Sequence, residues 1–358
     1  MGKGGPRCEI AWFGALCDDD YEFLGVPDPD LRSSWEHCRD IVLAAEASGF
    51  DNVLLPSGYE LGIDSTAFAA GIAPATTRIN LLLAVRMGEM WPPQLARQLT
   101  TIDRMASGRL TVNIISSGLP GESLDSELRY ARTREYMQVL RAILNGLPID
   151  HHGEFLDLVL DPPGATTVSG RCPPLYFGGF SEAAKETAAT ESDVFLTWPD
   201  TVKGVAATVD DMAARAARHG RNLRCGLRSH VIVRETEAEA RAAAARLVSK
   251  LDDGQGTTIR NRSLDSASVG VSRQTELRDL SDDEGFVEDG LWTGIGRARS
   301  GAGAAIVGDP DQVLAKLEAY RAVGIEAFIL SGYPHLEECD LVGRHVLPRI
   351  DHAPFPSA

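Results

Sequence analysis

The feature that most constrains this chain is an alternation. A short apolar run is followed by an amphipathic stretch of helical period, and the pair recurs from one end to the other. Each pair reads as a strand and the helix that covers it, because the two periods bury different faces. Strands are expected over 9–13, 52–56, 79–85, 110–116, 175–177, 194–197, 225–233 and 327–331. Helices are expected over 34–48 (stopped by Gly49), 65–75, 92–106, 129–144, from 181, and over 202–219, 235–251 and 312–323. Eight such units in 358 residues predict an α/β fold, a closed TIM-type (β/α)8 barrel forming a single domain over 1–358, rather than an open sheet.

One segment breaks the rhythm. Residues 252–300 are polar and carry Gly254, Gly256 and the acidic run Asp282, Asp283 and Glu284 just before the last unit. That is too long for an ordinary connection. Its Gly and Ser content suits a mobile lid over an active site, with a disordered insert as the other reading.

Charge narrows the partners. Lysine plus arginine number 35 against 51 acids, a net charge of −16. Such a surface repels phosphate backbones and anionic lipid, which disfavours nucleic-acid and membrane-surface roles. No stretch reaches the roughly 18 continuous apolar residues of a membrane helix. Residues 1–7 hold no signal-peptide core, so a cytoplasmic location is expected. Cys8, Cys17, Cys38, Cys172, Cys225 and Cys339 show no paired spacing and read as free thiols, with neither a zinc site nor a disulfide framework.

In a barrel of this kind the site lies at the C-terminal ends of the strands. The polar residues expected there are Arg86, Asn113, Ser116, Ser117, Trp198, Arg228, His230, Tyr333 and His335, with Arg297 and Arg299 on the insertion. Arg228 and His230 are two apart in a strand and share a face. Buried arginine and histidine are costly in a purely structural layer. Together with Arg299 and the Tyr333 phenol they describe a seat for an oxyanion, since guanidinium forks match its geometry. A second feature is Gly178-Gly179 followed by Ser181 at a helix start, where amides and helix dipole make a phosphate seat. The same turn is also an ordinary strand-to-helix connection. No Walker loop, GxGxxG, HExxH or GxSxG stands in the chain.

At these residues the chain resembles the bacterial-luciferase-like flavin monooxygenases, and within them most the FMNH2-dependent alkanesulfonate monooxygenases. The matching segments are Pro174–Gly179, Phe195–Trp198, Arg228–Thr236, Ser300–Gly303 and Leu330–Glu338. The resemblance implies a barrel that takes reduced FMN from a separate NAD(P)H-dependent flavin reductase. It further implies oxygen activation through a flavin peroxide and C–S cleavage of an alkanesulfonate-like substrate to an aldehyde and sulfite. Carried over, Arg228, His230, Arg299 and Tyr333 are catalytic, and Trp198, Arg228, Arg299 and Tyr333 bind substrate. Ala84, Asn113, Ser116, Tyr136, Gly178, Gly179, Ser181 and Trp198 bind the cofactor. A homodimer or homotetramer is implied too.

The chain departs from the family's pattern at the barrel mouth. No cysteine stands in 57–63, the run after the fourth strand is shortened to Ser117–Glu122, and Cys17, Asp18, Asp19 and Asp20 replace a histidine loop. These departures leave open the same flavin chemistry on another small substrate, as in a secondary-metabolite tailoring monooxygenase. An F420-dependent oxidoreductase of the same barrel family and a non-catalytic flavin-binding barrel are the further alternatives.

Overall fold

The computed structural model describes residues 7–59, 62–161, 164, 166–261 and 268–356, apart from the side chains of 253, 255 and 261. The readings made on residues 1–6, 60–61, 262–267 and 357–358 lie outside the described residues. The described strands are β1 (Glu9–Phe13), β2 (Asn52–Leu55), β3 (Asn80–Arg86), β4 (Leu110–Ile115), β5 (Ile149–His152), β6 (Asp157–Leu160) and β7 (Leu175–Gly178). They continue with β8 (Val194–Thr197), β9 (Arg224–Val233), β10 (Phe286–Glu288), β11 (Leu291–Trp292), β12 (Ala305–Gly308) and β13 (Ile325–Ser331).

Eight of them close into a parallel barrel in the order β1-β2-β3-β4-β7-β8-β9-β13, with β13 returning to β1. These are the eight strands expected from sequence, shifted by a residue or two at their ends. Caps explain the helix bounds. The Ser34 side chain accepts from the His37 N–H, and Gly49 ends the helix Trp35–Ser48 at φ 96°, a conformation open to glycine. The helix expected over 65–75 stops at Ile72 and tightens to a 3-10 turn, because Pro74 cannot continue it. Helix Ser126–Leu144 starts earlier than expected, where Asp125 caps the Leu128 N–H.

The inside of the barrel is filled by Ala11, Phe13, Leu54, Leu82, Ala84, Tyr176, Leu196 and Ile329. It is a packed core rather than a pore. β9 positions the site because it outlasts the barrel. Arg224–Leu227 pairs with β8 and Cys225–His230 with β13, while His230–Val233 pairs with β12. Antiparallel β11 and β10 extend that edge. The insertion is therefore not a bare polar loop. It holds helices Asp253–Asn261 and Val269–Asp279 and is fastened to the barrel wall. Buried Gln274 donates to Pro199 O at 2.7 Å and accepts from the Gly303 N–H at 3.0 Å. Among the described residues no helix is long and apolar enough to cross a membrane.

Candidate active site

Four of the residues singled out by sequence, Arg228, His230, Arg299 and Tyr333, meet at the C-terminal mouth of the barrel. The Arg228 guanidinium, at the point where β9 leaves the barrel, lies 4.4 Å from the centre of the Phe13 ring. Arg299, delivered by the insertion, lies 5.3 Å from the same ring. Phe13 ends β1, so two cations and the barrel interior share one apolar support.

The two arginines are balanced differently. Arg299 donates to Asp19 Oδ2 at 2.7 Å and to the Tyr333 hydroxyl at 2.6 Å. Burial opposes its charge, but Tyr333 and Asp19 outweigh burial and keep it cationic. Arg228 Nη1 donates to the Ser229 carbonyl at 2.8 Å, and its Nη2 is buried without a partner. Burial, reinforced by the neighbouring Arg299 charge, brings the Arg228 pKa down to about 9. Near neutral pH it therefore remains a buried cation with no ion pair among the described residues.

His230 and Tyr333 stack at 5.1 Å between ring centres. His230 Nδ1 and the Ser331 hydroxyl are 2.8 Å apart, and Nε2 has no partner. Burial first, and then the charges of Arg228 and Arg299, hold the His230 pKa well below its ordinary value, so the ring is neutral. Burial pushes the Tyr333 hydroxyl up against the pull of Arg299. Since that hydroxyl accepts from Arg299, its own proton is not committed in the bond.

A third group supports these two. Asp20 Oδ1 accepts from the backbone N–H of His335 at 3.0 Å, from His335 Nδ1 at 3.0 Å and from the Tyr21 N–H at 2.9 Å. Its Oδ2 is 2.9 Å from His37 Nε2. This ties the loop after β1, which carries Asp19, to the turn after β13, which carries Tyr333. Sequence reasoning placed acidic residues here without a role. The run of three aspartates, Asp18 to Asp20, in the loop after β1 was the available signal.

The expected phosphate end lies at the next strands round. Gly178 closes β7, and the Ser181 hydroxyl caps helix Glu182–Glu191 by accepting from the Ala184 N–H at 3.2 Å. A Cβ on Gly179 would come 2.5 Å from Ala184 Cβ and 3.3 Å from the Tyr130 hydroxyl, so the turn requires glycine. The tyrosine at this turn is Tyr130. Tyr136, expected to bind cofactor, packs into the apolar layer outside the strands. Ser116 bonds Thr133 at 2.7 Å. Asn113 is half-buried, paired in register with Ala84, whose side chain fills the barrel interior. Trp198 packs on Phe180 at 5.4 Å, beneath the insertion helix, where a Cβ on Gly270 would come 2.6 Å from each ring. A groove of about 700 Å³ lies outside the barrel between helices Ser65–Ile72 and Pro92–Met105 and reaches the mouth at Arg86.

The chain is 64% identical over 356 residues to a sulfoquinovose monooxygenase of Novosphingobium aromaticivorans, covering 98% of each chain. It is 52% identical to a second sulfoquinovose monooxygenase, of Agrobacterium fabrum, over 98% of this chain and 91% of that one. Among solved structures, DmoA from Hyphomicrobium sulfonivorans shares the fold at 16% identity, with a TM-score of 0.79 over 99% of this chain and 91% of that one. The profile of the family described as luciferase-like monooxygenase matches residues 23–327. The chain belongs to the luciferase-like monooxygenase family and is a flavin-dependent monooxygenase.

Proposed function

We propose that this enzyme cleaves the carbon–sulfur bond of a sulfonated sugar and releases sulfite, using reduced FMN from an NAD(P)H-dependent flavin reductase. The observation that carries the reading is the pair Arg228 and Arg299 across Phe13, with Arg228 left unbalanced. A sulfonate spreads one charge over three acceptor oxygens, which suits two guanidinium forks. The relatives at 64% and 52% identity are both named for sulfoquinovose, a sulfonated hexose, and this narrows the alkanesulfonate-like reading to sugars.

The residues fit a flavin. The Gly178–Gly179 turn leaves bare backbone at the start of a capped helix, suited to a phosphate. Reduced flavin with O2 supplies the oxidation, in which the carbon bearing the sulfonate becomes an aldehyde, sulfite leaves, and the second oxygen atom departs as water. The chain's own residues bind, orient and shield. Arg228 and Arg299 hold the anion, and neutral His230 presents Nε2 as a hydrogen-bonding group toward the substrate. Tyr333 offers a proton at its hydroxyl. The segment that delivers Arg299 serves as the lid that keeps water from the reacting atoms.

The test is sulfite release with FMN, NAD(P)H, oxygen and a flavin reductase, comparing a 6-sulfonated hexose with hexanesulfonate. Sulfite matching the sulfonated hexose consumed is expected. Tight binding of reduced FMN with no sulfite from any sulfonate overturns the substrate class and turns attention to the other tailoring substrates.

A further inference from the structure

Four polar atoms around Tyr333 are buried without a hydrogen-bond partner: Arg228 Nη2, His230 Nε2, His335 Nε2 and Asp19 Oδ1. Buried polar groups left unpaired cost free energy, and these four are gathered about one ring, where scattered others such as Gln98 Oε1 and Thr187 Oγ1 are not, so a ligand there would answer them together. The four differ in kind. The arginine nitrogen only donates, and an imidazole nitrogen donates or accepts with its tautomer. Asp19 Oδ1 only accepts. A sulfonate has oxygen acceptors alone and satisfies the donors, yet it leaves Asp19 Oδ1 bare and sets a second negative group beside it. An alkanesulfonate adds nothing but methylenes. The site is therefore complementary to a molecule that carries an anion and also a hydroxyl donor.

Asp19 is placed to hold both requirements together. Its Oδ2 is fixed by Arg299 at 2.7 Å, so the carboxylate cannot turn away. The next residue, Asp20, is locked by His335 and His37. Resting on the sulfonate reading above, we propose that Asp19 is the specificity-determining residue of this site, accepting a hydrogen bond from a sugar hydroxyl and so selecting a polyhydroxylated sulfonate over an alkanesulfonate. The acidic residue beside two arginines is then no contradiction. One oxygen balances Arg299 and the other reads the substrate.

The experiment compares kcat/KM for a 6-sulfonated hexose with kcat/KM for hexanesulfonate in the wild type and in Asp19→Asn, by sulfite release. The ratio is expected to fall about 10-fold to 100-fold in the variant, the range of one hydrogen bond to a charged group. Equal losses on both substrates overturn the proposal, since Asp19 would then act only through Arg299. Wild type that releases no sulfite from either substrate overturns the sulfonate reading itself and this inference with it. Should the variant fail to fold, the wild type is assayed with a set of mono-deoxy sulfonated hexoses. One position is expected to lose 10-fold to 100-fold while the others stay within a few-fold. A flat series overturns the proposal.

Discussion

The two ends of this barrel are built from the same strands and end in opposite states. At the floor, Glu9 opens β1 and is fully buried, yet its oxygens are answered by protein. Oε1 accepts from the Tyr176 hydroxyl at 2.6 Å and from Asn52 at 3.4 Å, and Oε2 from the Phe355 N–H at 3.3 Å. Arg224 covers the outer side of Phe355 at 4.3 Å from its ring centre, so the C-terminal segment closes the floor. At the mouth, the atoms Arg228 Nη2, His230 Nε2, His335 Nε2 and Asp19 Oδ1 are buried and unanswered. Burial alone does not mark a functional site. A finished floor has spent its hydrogen bonds on itself, and on the function proposed above the mouth keeps them for a ligand.

The sharpest break in this comparison comes from removing the unbalanced cation. Arg228→Met keeps volume and apolar contact with Phe13 but deletes the charge. The kcat/KM for the sulfonate is expected to fall on the order of 10² to 10³-fold, the scale of losing one member of a buried charge pair. Thermal stability should hold or rise, because Arg228 is a buried charge without an acid. A melting temperature that drops along with activity would make Arg228 a structural residue like those of the floor.

Tyr176→Phe is the mirror test at the floor. Glu9 loses its shortest hydrogen bond, and about 1–3 kcal/mol of stability should go with it by denaturant titration. The kcat/KM should not change. A loss of turnover without a loss of stability would deny that the two ends are separable.

How much of this contrast was legible beforehand follows from distance along the chain. The barrel strands could be read because each is a local run of apolar residues, and Arg228 with His230 because two residues in one strand share a face. The partner of Arg299 could not, since Asp19 is 280 residues away and meets it only after the barrel closes. Tyr130 and Tyr136 lie on one helix about 240° apart at 100° per residue. Which of them looks toward Gly179 depends on how the helix docks, and no local pattern states that. β12 was missed because it is only four residues, Ala305–Gly308, at the end of a long polar stretch, and the insertion helices because their sequence is polar and their hold is specific: Gln274 to Pro199 and Gly303, and Arg278 to Gly296 O.

Smaller in size is the pH limb of catalysis. On the function proposed above, anion binding needs Arg228 protonated, and its pKa of about 9 lies far below that of an ordinary arginine. Below that value kcat/KM should be insensitive to this group; above it kcat/KM should fall tenfold per pH unit. Saturating anion favours the charged form, so the limb should move to higher pH in kcat. A kcat/KM that stays flat to pH 11 would mean that Arg228 is not the cation the substrate meets.

The smallest effect belongs to the floor and concerns stability. Burial raises the Glu9 pKa from 4.5 to about 7, against the opposing hydrogen bonds of Tyr176, Phe355 and Asn52, and Asp51 adds to the rise. Between those two values the folded protein holds a proton that the unfolded chain has released, so stability falls as pH rises through this window and levels off above it. From pH 6 to pH 8 the decline is on the order of 1 kcal/mol. His352, whose Nδ1 lies 2.9 Å from Asp51, also has a raised pKa, chiefly through that bond. Its stabilisation is present at low pH and lost as pH rises, which has the same sign. The measurement is therefore a difference. Urea midpoints from pH 5 to pH 9 are compared for the wild type and Glu9→Gln, and the variant's slope should be shallower by the share of Glu9 alone. Parallel curves would assign the whole pH dependence to His352 and show that Glu9 keeps its charge in the folded floor.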